Sequence, residues 1–188
     1  MGASDFILTG SRIANATRTW QANEDVDVTG WDKANDFIFA AMVETTKHAG
    51  ASATLQLRWR NVTDAGSFAA LSGSGELTWS AATDLVNSNA VASGEEGCTP
   101  VSGTTLVDGV EREGANGVAT AVSQNEYCEH QWAIDASGGL DSKQYEFEIY
   151  DTTAGASLGT CLAQITTSAG AVTFIPAWAV NSNPGVIQ

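Results

Sequence analysis

Strict two-residue alternation most limits what this chain can fold into. Residues 54–60, TLQLRWR, place Leu55, Leu57 and Trp59 on one side and Gln56, Arg58 and Arg60 on the other. Residues 144–151, QYEFEIYD, repeat the arrangement, with Tyr145, Phe147 and Ile149 on one side and Glu146 and Glu148 on the other. Successive side chains of a strand point to opposite faces, so each stretch reads as a strand with one face in a core. Each then runs into Asn or Asp, Thr and Ala-Gly, which is turn chemistry. The segments between them do not repeat, so the echo is local and marks no domain duplication. No window of about eleven residues carries a helical period.

The rest of the chain extends this pattern. DFIFAAMVETT (36–46) is apolar on both faces, Phe37, Phe39, Ala41 and Val43 opposing Ile38, Ala40 and Met42. That predicts a central strand covered on each side. EYCEHQWAID (126–135) sets Cys128, His130, Trp132 and Ile134 on one face, and NEDVDVTGW (23–31) sets Val26 and Val28 against Asp25 and Asp27. Phe68 and Leu71 suggest a short strand, Leu77 and Trp79 alternate, and 81–86 read as a brief helical turn. Residues 87–125 are punctuated by Gly and Ser, with Leu106 and Val107 before an Asp-Gly turn. So long a structureless loop is uncommon in a compact domain, so short strands or a functional loop are expected there. SLGTCLAQITT and AVTFIPAWAV supply one or two closing strands, with Pro176 at an edge or an end. The expected fold is all-β, an antiparallel, jelly-roll-like β-sandwich over 21–178. Residues 1–20 form an N-terminal arm or edge strand, and 179–188 a C-terminal tail.

Composition narrows the function classes. The 188 residues hold 22 acidic and 8 basic side chains, a net charge of −14. A nucleic-acid binder needs clustered Lys and Arg, and no such cluster exists. No stretch approaches the roughly 20 apolar residues of a membrane span. The first twenty residues lack a basic start followed by an apolar run, so the expectation is a chain made in the cytoplasm without a secretory route. Cys98, Cys128 and Cys161, odd in number and widely spaced, read as buried thiols before a disulfide or a metal site.

Candidate chemistry is sparse. Glu146 and Glu148, two apart on one strand face, have the roughly 6.5–7 Å backbone spacing compatible with paired-carboxylate glycoside chemistry. A third acid at alternate spacing would fall on Gln144 or Tyr150, so the pattern breaks, and a solvated face is the plainer reading. Cys128 and His130 share a face as metal ligands would, without a second close pair, and His48 lies in a turn. Asp25, Asp27 and Asp32 are candidate calcium ligands at spacing unlike the helix-loop-helix motif. The Asn-x-Thr triplets at Asn15 and Asn61 read as chance. No nucleophile elbow, phosphate loop or dinucleotide motif is present. Six tryptophans are numerous for this length. Trp59 and Trp132 fall in register with core residues, whereas Trp20, Trp31 and Trp178 are less committed and are candidate partner or glycan contacts. Arg58 and Arg60 with Glu146 and Glu148 form a possible charge match, if their strands meet or across subunits.

Residues 50–165 resemble a module of tailed-bacteriophage particles and large microbial surface proteins. The resemblance rests on LQLRWRNV, a polar loop with LVDG, NEYCEHQWAID, and YEFEIYD leading into a closing hairpin. It implies a jelly-roll-like sandwich in structural or adhesive roles, with no catalytic residues and no cofactor. The expectation is a non-enzymatic virion structural protein assembled in the host cytoplasm, decorating or cementing the outer capsid surface. Its partners would be the major capsid protein or other virion proteins, and its own copies in a closed homo-oligomer, a trimer favoured, with segments 1–20 and 179–188 pairing with neighbours. A tail or fibre component is the near variant. A carbohydrate-binding or adhesin module is the rival, with Trp31 or Trp178 as platform and 87–125 as rim.

Overall fold

A computed structural model describes residues 4–45, 50–107 and 109–170. Trp178, His48, the strand expected around Pro176 and the tail 179–188 lie outside the described residues. Among those described there is no helix. Fourteen strands follow in order: β1 (Phe6–Asn15), β2 (Val28–Trp31), β3 (Phe37–Thr45), β4 (Ala51–Asn61), β5 (Ala69–Ala70), β6 (Thr78–Trp79) and β7 (Ala90–Val91). Then come β8 (Thr105–Leu106), β9 (Gly109–Arg112), β10 (Val118–Val122), β11 (Glu126–Asp135), β12 (Gln144–Asp151), β13 (Ala156–Thr160) and β14 (Ile165–Thr167). They form two packed sheets. One runs β1-β3-β11-β9-β7, with β6 and β8 also on β11; the other runs β10-β4-β12-β14-β2, with β13 on β12 and β5 on β4. The fold is the all-β sandwich that the alternation predicts. It is not purely antiparallel: β8 and β9 pair with β11, and β14 with β2, in parallel.

Phe37 and Phe39 of β3 meet Phe147 of β12 across the sheets, at ring-centroid distances of 6.2 and 4.4 Å. Leu55, Leu57, Trp132, Tyr145 and Ile149 join them in one continuous core. The second apolar face of β3 is also covered, as expected. Ile38 packs with Ala14, Leu85 and Ala133 under Trp20, and Met42 packs with Cys98 and Tyr127 against Leu106. The 87–125 region thus supplies four short strands (β7 to β10), and its turn-rich part roofs the outer face of the first sheet.

Several local expectations need correction. Residues 81–86 make no helical turn: the Ser80 hydroxyl accepts from Ala82 N–H and the Thr83 hydroxyl from Leu85 N–H, so side chains close these turns. Val26 is outside β2 and exposed, because Asp25 takes a positive φ of 57° that breaks the alternation. The stretch expected as arm or edge strand contributes β1, paired along β3. Its other edge is shielded by its own continuation. Gln21 N–H donates to Ile13 C=O at 2.9 Å, Asp25 N–H to Ser11 C=O at 2.8 Å, and Ser11 N–H to the Asp25 carboxylate at 2.8 Å. The Ser11–Asn15 half of β1 is therefore closed to strand pairing with neighbours.

Candidate functional site

β4 and β12 are antiparallel neighbours, and the register puts Arg60 opposite Glu146 and Arg58 opposite Glu148. Arg60 Nε bonds the Glu146 carboxylate, and Arg58 Nη1 lies 3.7 Å from Glu148. Aromatic rings complete the face: the Arg58 guanidinium lies 3.3 Å from the centroid of Tyr150, and that of Arg60 lies 4.6 Å from Phe68. Glu148 also accepts from the Ser157 hydroxyl at 2.7 Å and is buried. The charge match is therefore cross-strand and internal. Each carboxylate is thus taken up by an opposing guanidinium, and Glu148 also by the Ser157 hydroxyl.

β11 carries the polar groups that matter most inside. Its inner face is the predicted one. His130 is buried; its Nδ1 accepts Val110 N–H at 3.0 Å, so the ring proton sits on Nε2, 2.9 Å from the Thr120 hydroxyl and 3.5 Å from Cys128 Sγ. Burial, with Arg112 nearby, lowers its pKa to about 3, leaving the ring neutral. Both ring nitrogens are committed, which leaves no lone pair for a metal. The Cys128 thiol is pushed up to about 12 by burial and Glu129, and burial also raises Cys98 and Cys161. All three cysteines are free and buried.

Glu129, on the outer face of β11, escaped sequence reasoning. It is fully buried beneath the roof, where its carboxylate accepts Gly97 N–H at 2.9 and 3.0 Å, Cys98 N–H at 2.8 Å and the Gln131 amide at 2.8 Å. Burial raises its pKa against these hydrogen bonds. Asn116 escaped as well. Its side chain bonds both peptide groups of Leu57 at 2.8 Å and Leu71 C=O at 3.0 Å, while its own carbonyl accepts the Trp132 indole N–H at 3.0 Å. An acidic residue between Cys and His, and an Asn within a Gly-rich loop, give no sequence signal of burial.

The three candidate calcium aspartates act separately. Asp25 accepts from Ser11, Asp27 from Gln164 N–H at 3.1 Å, and Asp32 from Ala34 N–H at 3.0 Å. Among the described residues no group of three or more His, Cys, Asp or Glu is placed to hold a metal ion. Of the less committed tryptophans, Trp31 is buried, donates its indole N–H to Asn35 C=O at 2.9 Å and meets Phe37 edge-on. Trp20 is half-buried, with the Arg12 guanidinium 5.3 Å from its ring centroid. Gly97 lies so close that a Cβ there would fall 2.3 Å from the Trp20 ring. Neither ring stands free of its own fold.

An opening of about 680 Å³ lies beside β2 and is lined by residues of that strand, by 15–17, by Asp32 and by 34–36. Trp31 forms part of its wall, and Asp32 and Asp36 part of its rim. Asp36 accepts from the Ser80 hydroxyl, and its carboxyl is raised by partial burial and by Asp135 beyond.

Fold and site together define a β-sandwich whose internal polar groups hold strands and loops in place. No protein-family model, curated protein or solved structure matches the chain.

Proposed function

We propose that this chain is a non-enzymatic structural protein of a phage virion, which decorates or cements the outer capsid surface through the major capsid protein. The observation that carries this reading is the fate of the candidate chemistry. Glu146 and Glu148 face arginines, His130 is a neutral core residue bonded at both nitrogens, and the cysteines are buried thiols. What chemistry the sequence offered is spent on holding the sandwich, leaving recognition by the surface as its work. The virion assignment rests on the strand patterns of 50–165, which resemble those of particle and surface modules. The net charge of −14 suits a solubilising outer face on a crowded particle. A closed homo-oligomer, with a trimer favoured, is part of the same proposal.

The test mixes the recombinant chain with purified particles that lack it, followed by sedimentation. Co-sedimentation at a fixed ratio to capsid protein is the expected result. A chain that ignores the particles but is retained on immobilised polysaccharide would replace this reading with the carbohydrate-binding one.

A further inference from the structure

We propose that the opening beside β2 is a docking groove for an extended, basic segment of a partner polypeptide, which adds a strand to the free edge of the second sheet. The inference stands on the geometry of β2 and does not depend on the particle reading.

Among the described residues, β2 ends its sheet and pairs with β14 alone. Val28 N–H donates to Gln164 C=O at 2.8 Å, and Trp31 C=O accepts Ser168 N–H at 2.8 Å, so these residues turn their peptide groups toward β14. The register slips at Gly30, between Thr29 and Trp31, which lets both Val28 and Trp31 face β14; next to Val28, alternation turns the N–H and C=O of Thr29 the other way, on the side of the opening that β2 lines. An unpaired edge of this kind is a template for an incoming strand. Gly30 helps: it takes a φ of 71°, and a Cβ there would meet nothing within 4 Å, so no side chain blocks the approach of another backbone. The contrast with β1, whose edge is shielded by residues 21–25, is direct.

Charge selects the partner. The described lining holds two carboxylates, Asp32 and Asp36, and no lysine or arginine. The nearby cations are turned elsewhere. Lys33 Nζ bonds Gly139 C=O at 3.1 Å and Asp141 at 2.9 Å, and Arg18 pairs with Glu95 at 3.2 Å and with Glu111. Asp36 already lies close enough to Asp135 to feel its charge. A segment bringing lysine or arginine to this rim relieves that repulsion, whereas an acidic one adds to it. Four strand residues offer few main-chain bonds, so affinity for an isolated peptide is modest, on the order of micromolar to millimolar.

The test titrates the isotope-labelled full chain at low salt with an acetylated hexapeptide alternating valine and lysine, and separately with its valine-glutamate counterpart. The expected result is saturating amide shifts at Thr29, Gly30 and Asn35 with the lysine peptide, at least about tenfold tighter than with the glutamate peptide. Asp32→Asn with Asp36→Asn, which keeps the acceptor oxygens, abolishes that preference. Thr29→Pro removes the outward N–H and weakens binding of the lysine peptide at least about tenfold; if that variant does not fold, the asparagine pair carries the test. Equal binding of both peptides, shifts centred on β10 instead of β2, or no shifts at millimolar peptide would each overturn the proposal.

Discussion

The imidazole of His130 spans two strands, taking Val110 N–H on one side and holding Thr120 on the other. Its pKa is lowered to about 3 from an ordinary 6.5. The unfolded chain therefore binds a proton that the folded chain refuses between those values. The stability this ring supports is complete above pH 6.5 and drains by about 1.4 kcal/mol per pH unit as pH falls toward 3. Glu129 works in the opposite sense. Its folded pKa is raised, so its contribution is full below the unfolded value of 4.5 and is lost as pH rises through the folded one. Denaturant titrations of the parent chain and His130→Gln between pH 3.5 and 7 separate the two. The variant should lose about 1–3 kcal/mol at pH 7 and show a flatter acid limb; parallel curves would mean that His130 is not the neutral core group described. Gly109 offers a steric test. A Cβ there would stand 1.6 Å from the Glu129 carbonyl oxygen, a backbone atom that cannot yield. Gly109→Ala should cost about 3 kcal/mol or more in thermal unfolding.

Among the elements, β11 organises the first sheet, because both its faces are buried: one in the sandwich core, the other under the roof. Glu129 clasps that roof at Gly97 and Cys98. Glu129→Ala would leave the Gly97 and Cys98 N–H groups without an acceptor, a loss of about 3–5 kcal/mol, and should release those amides to hydrogen exchange. The Cys98 thiol should then react with a thiol reagent much faster than in the parent, whereas unchanged exchange and reactivity would show the roof held by packing alone. The β4 and β12 pairs are half-exposed on their arginine sides, so a double-mutant cycle between Arg58 and Glu148 should return only about 0.5–1 kcal/mol, falling with salt. Alternation made β3, β4, β11 and β12 legible because a half-buried strand sorts its residues by face. It also flagged the arginine and glutamate faces as a charge match, though only the register could show that the strands meet and which residues pair. The roof over β11 was not legible: its residues are small and polar, and what buries Glu129 is a loop arriving from more than thirty positions away. The edge of β2 was hidden for a related reason, since which peptide groups lack a partner depends on strand order and not on side chains.

At the scale of the whole molecule, the described residues cover the Ser11–Asn15 part of the β1 edge with their own chain, tie the buried ionisable groups into hydrogen bonds or ion pairs, and hold an acidic opening beside β2. The most direct measurement is the uptake isotherm of the chain on particles that lack it, run for the parent and for Glu146→Gln with Glu148→Gln. The account predicts saturation at a fixed multiple of the capsid subunits, with the same stoichiometry for the variant, because those carboxylates pair with Arg58 and Arg60 within the sheet. Absent or unsaturable uptake by the parent, or a glycan-releasing activity that disappears in the variant, would contradict it.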